Sequence, residues 1–193
     1  MKGTLTRHHS PKLLVCCFFL GPLLSHAGEV LNSHVSYEDG HYLVRLEMKI
    51  EAELETVYAL LTDFNNLKQL NDSIKSSRLL KSKGKQHHVL FKIEGCVWII
   101  CKQVKQVQRV TEMGNGYIKA VTLPDKSDME YGRVLWHIRQ EGDVTIVHYR
   151  ADFVPAFFVP PLIGPYIMKG RLLEEGEKTI QGIERVAQFE EEY

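Results

Sequence analysis

Two of the four cysteines (Cys16 and Cys17 lie in the N-terminal apolar run), a few histidines and a scatter of aromatic residues are the side chains with which this chain could do chemistry. Cys96 and Cys101 stand at the ends of Cys96-Val-Trp-Ile-Ile-Cys101. On one straight strand their sulfurs would face opposite ways, about 16 Å apart at ~3.3 Å per residue, too far to bond. If the chain instead reverses across Val97 to Ile100, the sulfurs meet and a disulfide closes an apolar finger carrying Trp98. An oxidising compartment favours the second arrangement. Neither cysteine has a base nearby in sequence, which argues against a nucleophile.

His87 and His88 are adjacent and point to opposite faces of any strand. His137 and His148 share a phase with Arg139 and Arg150, which reads as a solvated outer face. Zinc needs a third and usually a fourth ligand at fixed spacing, and none follows. Glu94, Lys102, Arg109 and Asp152 are lone polar residues, suited to orienting a ligand head group or to an ordinary surface. Nucleophile elbow, phosphate loop and paired carboxylates are all missing from the sequence. No catalytic residue, metal or cofactor is therefore assigned.

The aromatic residues form a different pattern. Trp136 is in phase with Val134 and Ile138, and Tyr149 with Val147, Ala151 and Phe153. Phe91, Trp98, Phe157, Phe158, Tyr166 and Met168 add large apolar groups. Buried Tyr and Trp need partners for their polar atoms, so this set reads as the wall of a ligand cavity. Ten buried methylenes would contribute roughly 8 kcal/mol gross at ~0.8 each. Association costs of at least ~4 kcal/mol leave micromolar or weaker binding, suitable for a carrier that must also release.

The elements that would position these residues follow from the pattern. His41 to Glu51 alternates apolar and polar, a half-buried strand, and Asp39-Gly40 turns it back on Ser33 to Glu38. Glu53 to Thr62 reads as a helix, and Asp63 can cap a second short helix running to Leu70. Strands follow at Ile74 to Lys81, Gln86 to Glu94, Val97 to Val110, Tyr117 to Leu123, Met129 to Gln140 and Val144 to Phe153. The drifting apolar spacing of Val97 to Val110 suggests a bend or bulge. Gly114-Asn115-Gly116 and Glu141-Gly142-Asp143 are tight-turn signals. Lys81, Lys83 and Lys85 flank Gly84 in what reads as a solvated turn.

The last third closes the chain. Prolines 155, 160, 161 and 165 stiffen an apolar stretch from Phe153 to Met168 that could be a lid over a cavity mouth, a membrane contact or a packed connection. After Pro165 a long helix follows, with Ile167, Leu173, Ile180, Ile183 and Ala187 forming its apolar stripe. Gly170, Gly176 and Gly182 cost this helix roughly 1 kcal/mol each against alanine. Such a helix can lie very close to a sheet, or leave room between helix and sheet.

The N-terminus has a basic n-region (Lys2, Arg7, Lys12), an apolar run from Leu13 to Leu24, and Ser25-His26-Ala27 as a cleavage motif, the marks of a signal peptide over residues 1–27. Twelve apolar residues fall short of the about 20 needed to span a bilayer. Cleavage would leave residues 28–193 as one domain, exported to the periplasm of a Gram-negative cell or otherwise secreted. Removing three basic residues leaves 21 against 24 acidic ones, a balance that speaks against nucleic-acid binding. Asn71-Asp72-Ser73 matches a glycosylation sequon.

With that order of elements, the segments LLTDFNNLKQLNDSIKSSRLL (60–80) and FVPPLIGPYIMKGRLLEEGEKTIQGIERVA (158–187) resemble the START-like superfamily. The nearest branch is the polyketide cyclase/dehydrase and lipid-transport group, which includes coenzyme Q-binding proteins. The resemblance implies an α+β helix-grip fold: a curved antiparallel sheet of about six to seven strands around a long C-terminal helix, with two short helices after the first main strand. It also implies a hydrophobic cavity between sheet and helix. The expected function is binding or transfer of a lipid or other hydrophobic small molecule. The alternatives are a cyclase-type enzyme acting on a polyketide-like or aromatic substrate, and a protein docking on a membrane or partner through residues 153–168.

Overall fold

In the computed structural model the described residues are 28–97, 100–157, 159 and 164–191. Residues 1–27, Trp98 and Phe158 lie outside them, and with them the expected signal segment and two of the expected cavity residues.

Eight antiparallel strands form one sheet: β1 (Glu29–Glu38), β2 (His41–Ile50), β3 (Ile74–Lys83), β4 (Gln86–Val97), β5 (Ile100–Gly114), β6 (Tyr117–Thr122), β7 (Met129–Glu141) and β8 (Val144–Pro155). Their order across the sheet is β1-β2-β8-β7-β6-β5-β4-β3. The helix-grip α+β fold holds, with one or two strands more than expected. The tight turns fall where backbone demands them: Asp39, Gly40, Gly114, Asn115, Gly116 and Gly142 all have positive φ, a region that glycine and asparagine enter most readily.

Helix α1 (Leu54–Thr62) follows β2, and α2 (Gly164–Glu191) ends the described chain. The expected second short helix is a single 3-10 turn, Leu67–Gln69. Asn66 rather than Asp63 precedes that turn, while Asp63 ends α1 and accepts a 2.8 Å bond from Asn66 Nδ2. Between them Asn65 Oδ1 accepts from the Leu79 N–H, which ties the segment to β3 and leaves no room for further turns of helix.

The strand expected from Val97 to Val110 also needs correction. The chain reverses between Val97 and Ile100, and the β4–β5 ladder then runs unbroken from the Val97/Ile100 pair to Gln86/Thr111. The drift in apolar spacing comes from polar residues on the inner face, Gln106 and Gln108. Val107 on the alternate face is buried under Leu123 and Ser127, which bond its carbonyl.

Ile180, Ile183 and Ala187 of α2 enter a core with Val44, Leu46, Met48 and Ile50 of β2 and with Val57 and Leu60 of α1. The helix packs against β1, β2 and α1. It therefore grips one half of the concave face. Over the other half, the cover comes from α1 and the Leu67–Gln69 turn. The glycines divide accordingly. A Cβ on Gly182 would collide with the Leu70 carbonyl, and one on Gly176 would lie 3.2 Å from Leu46 Cδ1, whereas Gly170 faces open space. Two of the three allow close approach; none of them makes the cavity.

Candidate ligand-binding cavity

The uncovered half of the concave face holds a cavity of about 220 Å³. Leu61, Phe64, Leu67 and Leu70 roof it from α1 and the turn, Ile74 closes the β3 side, and among the described residues Thr179 is the one that lines it from α2. The floor is the sheet: Phe91 and Ile93 of β4, Gln106, Gln108 and Val110 of β5, Ile118 and Ala120 of β6, Val134 and Trp136 of β7, and Tyr149 of β8. Register explains this floor. Ile118 lies opposite Trp136, which lies opposite Tyr149, so three strands send one row of side chains inward.

Trp136 and Tyr149 meet edge to face with centroids 4.6 Å apart. Burial pushes the Tyr149 hydroxyl up to about 12. Among the described residues the Tyr149 hydroxyl, the Trp136 indole and the Gln108 amide take no hydrogen-bond partner. Each lines the cavity and can receive a polar atom of a ligand. Gln106 is tethered, its Nε2 donating to Thr122 Oγ1 at 3.0 Å. Gly132 permits that arrangement, since a Cβ there would strike Thr122 Oγ1.

Of the expected cavity residues, Phe91, Trp136 and Tyr149 line this space. Phe153 shares the phase of Tyr149 yet stacks on Tyr42 at 5.4 Å, farther along the strand. Phe157 is half-buried beneath Lys102, whose Nζ is 3.9 Å from the ring centroid. Tyr166 is 84% exposed, and Met168 is half-buried outside the cavity. The four lone polar residues stay out as well: Glu94 pairs with Lys75 at 3.1 Å, Asp152 takes the His41 ring at 2.6 Å, and Arg109 is exposed. Cys96 and Cys101 lie opposite each other in the β4–β5 register, and Cys101 is disulfide-bonded.

Several polar residues escaped the sequence reading. Asn71 is buried, with Nδ2 donating to the Glu175 carbonyl at 3.2 Å and to Thr179 Oγ1 at 3.1 Å, and with Oδ1 accepting from the Ser73 N–H. It pins α2 beside the cavity, and this use of its amide leaves the sequon no accessible acceptor. Of the adjacent pair His87 and His88, His87 is the one on the buried face. Its Nε2 meets Glu112 Oε1 at 2.9 Å, its Nδ1 meets Ser82 Oγ at 3.0 Å, and Tyr58 donates to Glu112 Oε2 at 2.8 Å. Burial first, then the hydrogen bond to Glu112, pushes the Tyr58 hydroxyl up to about 12. Although this chain of groups resembles a proton relay, none of its members lines the cavity; it braces α1 against β3, β4 and β5.

On the outer face His137 and His148 are paired across the hairpin. They are half-buried, not freely solvated: Tyr117 stacks on His137 at 4.0 Å, and His137 on His148 at 6.0 Å. Burial, then His148 and Arg139, holds the His137 ring below its ordinary range. Among the described residues there is no group of three or more His, Cys, Asp or Glu able to hold a metal.

The model of the polyketide cyclase / dehydrase and lipid transport family matches residues 50–168, more than half of the chain. The chain belongs to that family. Solved structures agree on the fold. Zhui aromatase/cyclase from Streptomyces sp. R1128 is 12% identical with a TM-score of 0.63, over 77% of this chain and 94% of its own. A START superfamily protein from Mycobacterium smegmatis is 19% identical, TM-score 0.61, over 77% and 98%. A STAR-related lipid transfer protein from Xanthomonas axonopodis is 13% identical, TM-score 0.58, over 81% and 98%. No curated protein matches the chain in sequence.

Proposed function

We propose that this family member is an exported carrier that holds a hydrophobic small molecule or the apolar part of a lipid against Trp136 and Tyr149. The observation that carries this reading is an apolar cavity whose described lining includes Tyr149, Trp136 and Gln108, polar side chains not engaged with the rest of the fold. Apolar contact supplies affinity, and a hydroxyl, an indole N–H and an amide orient one polar end. The volume lies below the ~300–1,000 Å³ of most small-molecule sites. It suits a single ring or a short length of acyl chain, or a larger ligand if the Leu61–Leu70 roof moves outward.

Cyclase chemistry gains less support. Acid–base catalysis works best with a group titrating near the operating pH. Among the described residues the lining contains no carboxylate, histidine, lysine or cysteine, and its one ionisable side chain, Tyr149, is pushed to about 12. Loading or release at a membrane surface is the finer part of the proposal. Tyr166, exposed near the start of α2 beside exposed Lys169, has the pairing of aromatic ring and cation favoured at lipid interfaces.

Native mass spectrometry of the protein taken from its own compartment, followed by solvent extraction, tests the reading. A stoichiometric apolar adduct that extraction removes is expected. Protein that emerges empty, and stays empty when incubated with vesicles of phospholipid or with aromatic probes, would end the carrier proposal.

A further inference from the structure

The first described residue sits on a buried carboxylate. Glu184 of α2 is 8% exposed. Its Oε1 accepts from the Glu51 N–H at 2.8 Å and its Oε2 from the Gly28 nitrogen at 3.1 Å. Gly28 fits with no room to spare: a Cβ would collide with the carboxylate and lie 2.6 Å from both Ile180 Cγ2 and the Lys49 carbonyl. Gly28 is also the residue that follows Ser25-His26-Ala27.

We infer that the chain is cut between Ala27 and Gly28, and that the α-ammonium so created forms an ion pair with Glu184. This rests on the export reading above, which already puts the cut after Ala27, and adds the partner of the new terminus. Charge around the site supports it. Lys49 Nζ is 2.6 Å from Glu51 Oε1, and the charges of Glu29 and Glu184 act on the same ammonium from farther away. Three carboxylates therefore share one cation, and the new ammonium supplies a second. Before cleavage the Gly28 nitrogen offers one neutral N–H; afterwards it offers a full charge and three donors, and hydrogen bonds between charged groups are roughly twice as strong. Hydrolysis of the Ala27–Gly28 peptide by a signal peptidase consumes one water, giving a carboxylate on Ala27 and an amine on Gly28.

The test uses the full chain made in two ways: exported and processed, and retained in the cytoplasm with residues 1–27 attached. Intact mass and end-group sequencing of the exported protein should show Gly28 as the first residue; a different terminus would overturn the inference. Glu184→Gln should lower the melting temperature of the processed form by at least about 3 °C more than that of the unprocessed form. An equal loss in both forms would show that Glu184 serves only amide hydrogen bonds. Should the variant not fold, the α-amino pKa of the wild-type processed protein, read from the pH dependence of its acylation, replaces that arm. Facing Glu29, Glu51, Glu184 and Lys49, it should lie above the ordinary range of about 7.7–8.0; a value within or below that range counts against the pair. A chain found exported but cut elsewhere refutes this inference alone. A chain that never leaves the cytoplasm when given an export pathway refutes export itself.

Discussion

Tyr149 is the side chain whose alteration separates binding from stability most cleanly. Its hydroxyl has no partner among the described residues, so Tyr149→Phe removes nothing that holds the fold together. The melting temperature should be unchanged or slightly higher, because a buried hydroxyl without a bond carries a desolvation cost. Affinity for a ligand with a polar end should fall by about 0.5–1.5 kcal/mol, roughly 2- to 12-fold, measured by titration of the extracted ligand or a fluorescent fatty acid. The same residue gives a pH signature. Tyr149 and Tyr58 are both pushed from 10.0 to about 12. Their folded-state values lie above the unfolded ones, so the stability they contribute is fully present below pH ~10 and is lost as pH rises toward 12. Tyrosinate absorbance should accordingly appear in two stages, the later one coinciding with unfolding. A single stage centred near 10 in the folded protein would contradict the burial described here. The sequence led to Tyr149 and Trp136 because alternation assigns a residue to a face of the sheet. It misplaced Phe153 because alternation says nothing about position along the strand: four residues farther on, at ~3.3 Å each, the ring is about 13 Å away. Gln106 and Gln108 were passed over, and Asn71 was seen only as a sequon, because amides on strands and turns usually face water and only the fold shows what they border.

The long helix α2 and the β4–β5 hairpin each support a sharper experiment. Gly170→Ala and Gly182→Ala are the same change in one helix, with opposite expected outcomes. At Gly170 a methyl group meets nothing, and stability should rise by up to about 1 kcal/mol through helix propensity. At Gly182 it would meet the Leu70 carbonyl, and moving α2 away should cost about 1–3 kcal/mol. Urea denaturation of the two variants decides it; equal effects would mean the helix does not approach Leu70 so closely. In the hairpin, a Cys96–Cys101 bridge closes a loop of six residues. Loop entropy alone predicts about 2 kcal/mol of stabilisation, lost on reduction. Intact mass before and after alkylation under non-reducing conditions should show two protected thiols. The hairpin reversal was left open by the sequence because Val97 to Ile100 carries no glycine, proline or asparagine to announce a turn. The tight turns at Asp39-Gly40, Gly84, Gly114-Asn115-Gly116 and Gly142 were legible for the converse reason, each holding a residue at positive φ.

Across the molecule, division of the concave face explains how a solid core and a cavity coexist. The β2 side is filled by α2, and the cavity lies where the roof comes from α1 and a short turn. Ala120 is the small residue in the cavity floor, 4% exposed. Ala120→Phe should fill the space, reducing ligand occupancy at least ~10-fold, about 1.4 kcal/mol, while leaving the urea midpoint within the spread of ordinary substitutions. Undiminished ligand recovery from that variant would place the site elsewhere. The overall fold was legible because an apolar sheet face must be covered and few elements were long enough to do it. How much of that face the helix would cover depended on the path of α2, which no local pattern encodes.

The ladder one strand in from the β1 edge joins β2 to β8, pairing Tyr42 with Phe153 and Ile50 with Thr145. This one ladder thus joins residues about a hundred positions apart, whereas every other pair of neighbours is consecutive in the chain. Distant pairings are slow to find, typically taking milliseconds to seconds. A ribosome must deliver nearly the whole polypeptide before β2 has its second neighbour. Until then β3 to β7 can pair with their sequence neighbours while β1 and β2 stay apart from them, and the sheet is joined only when β8 arrives.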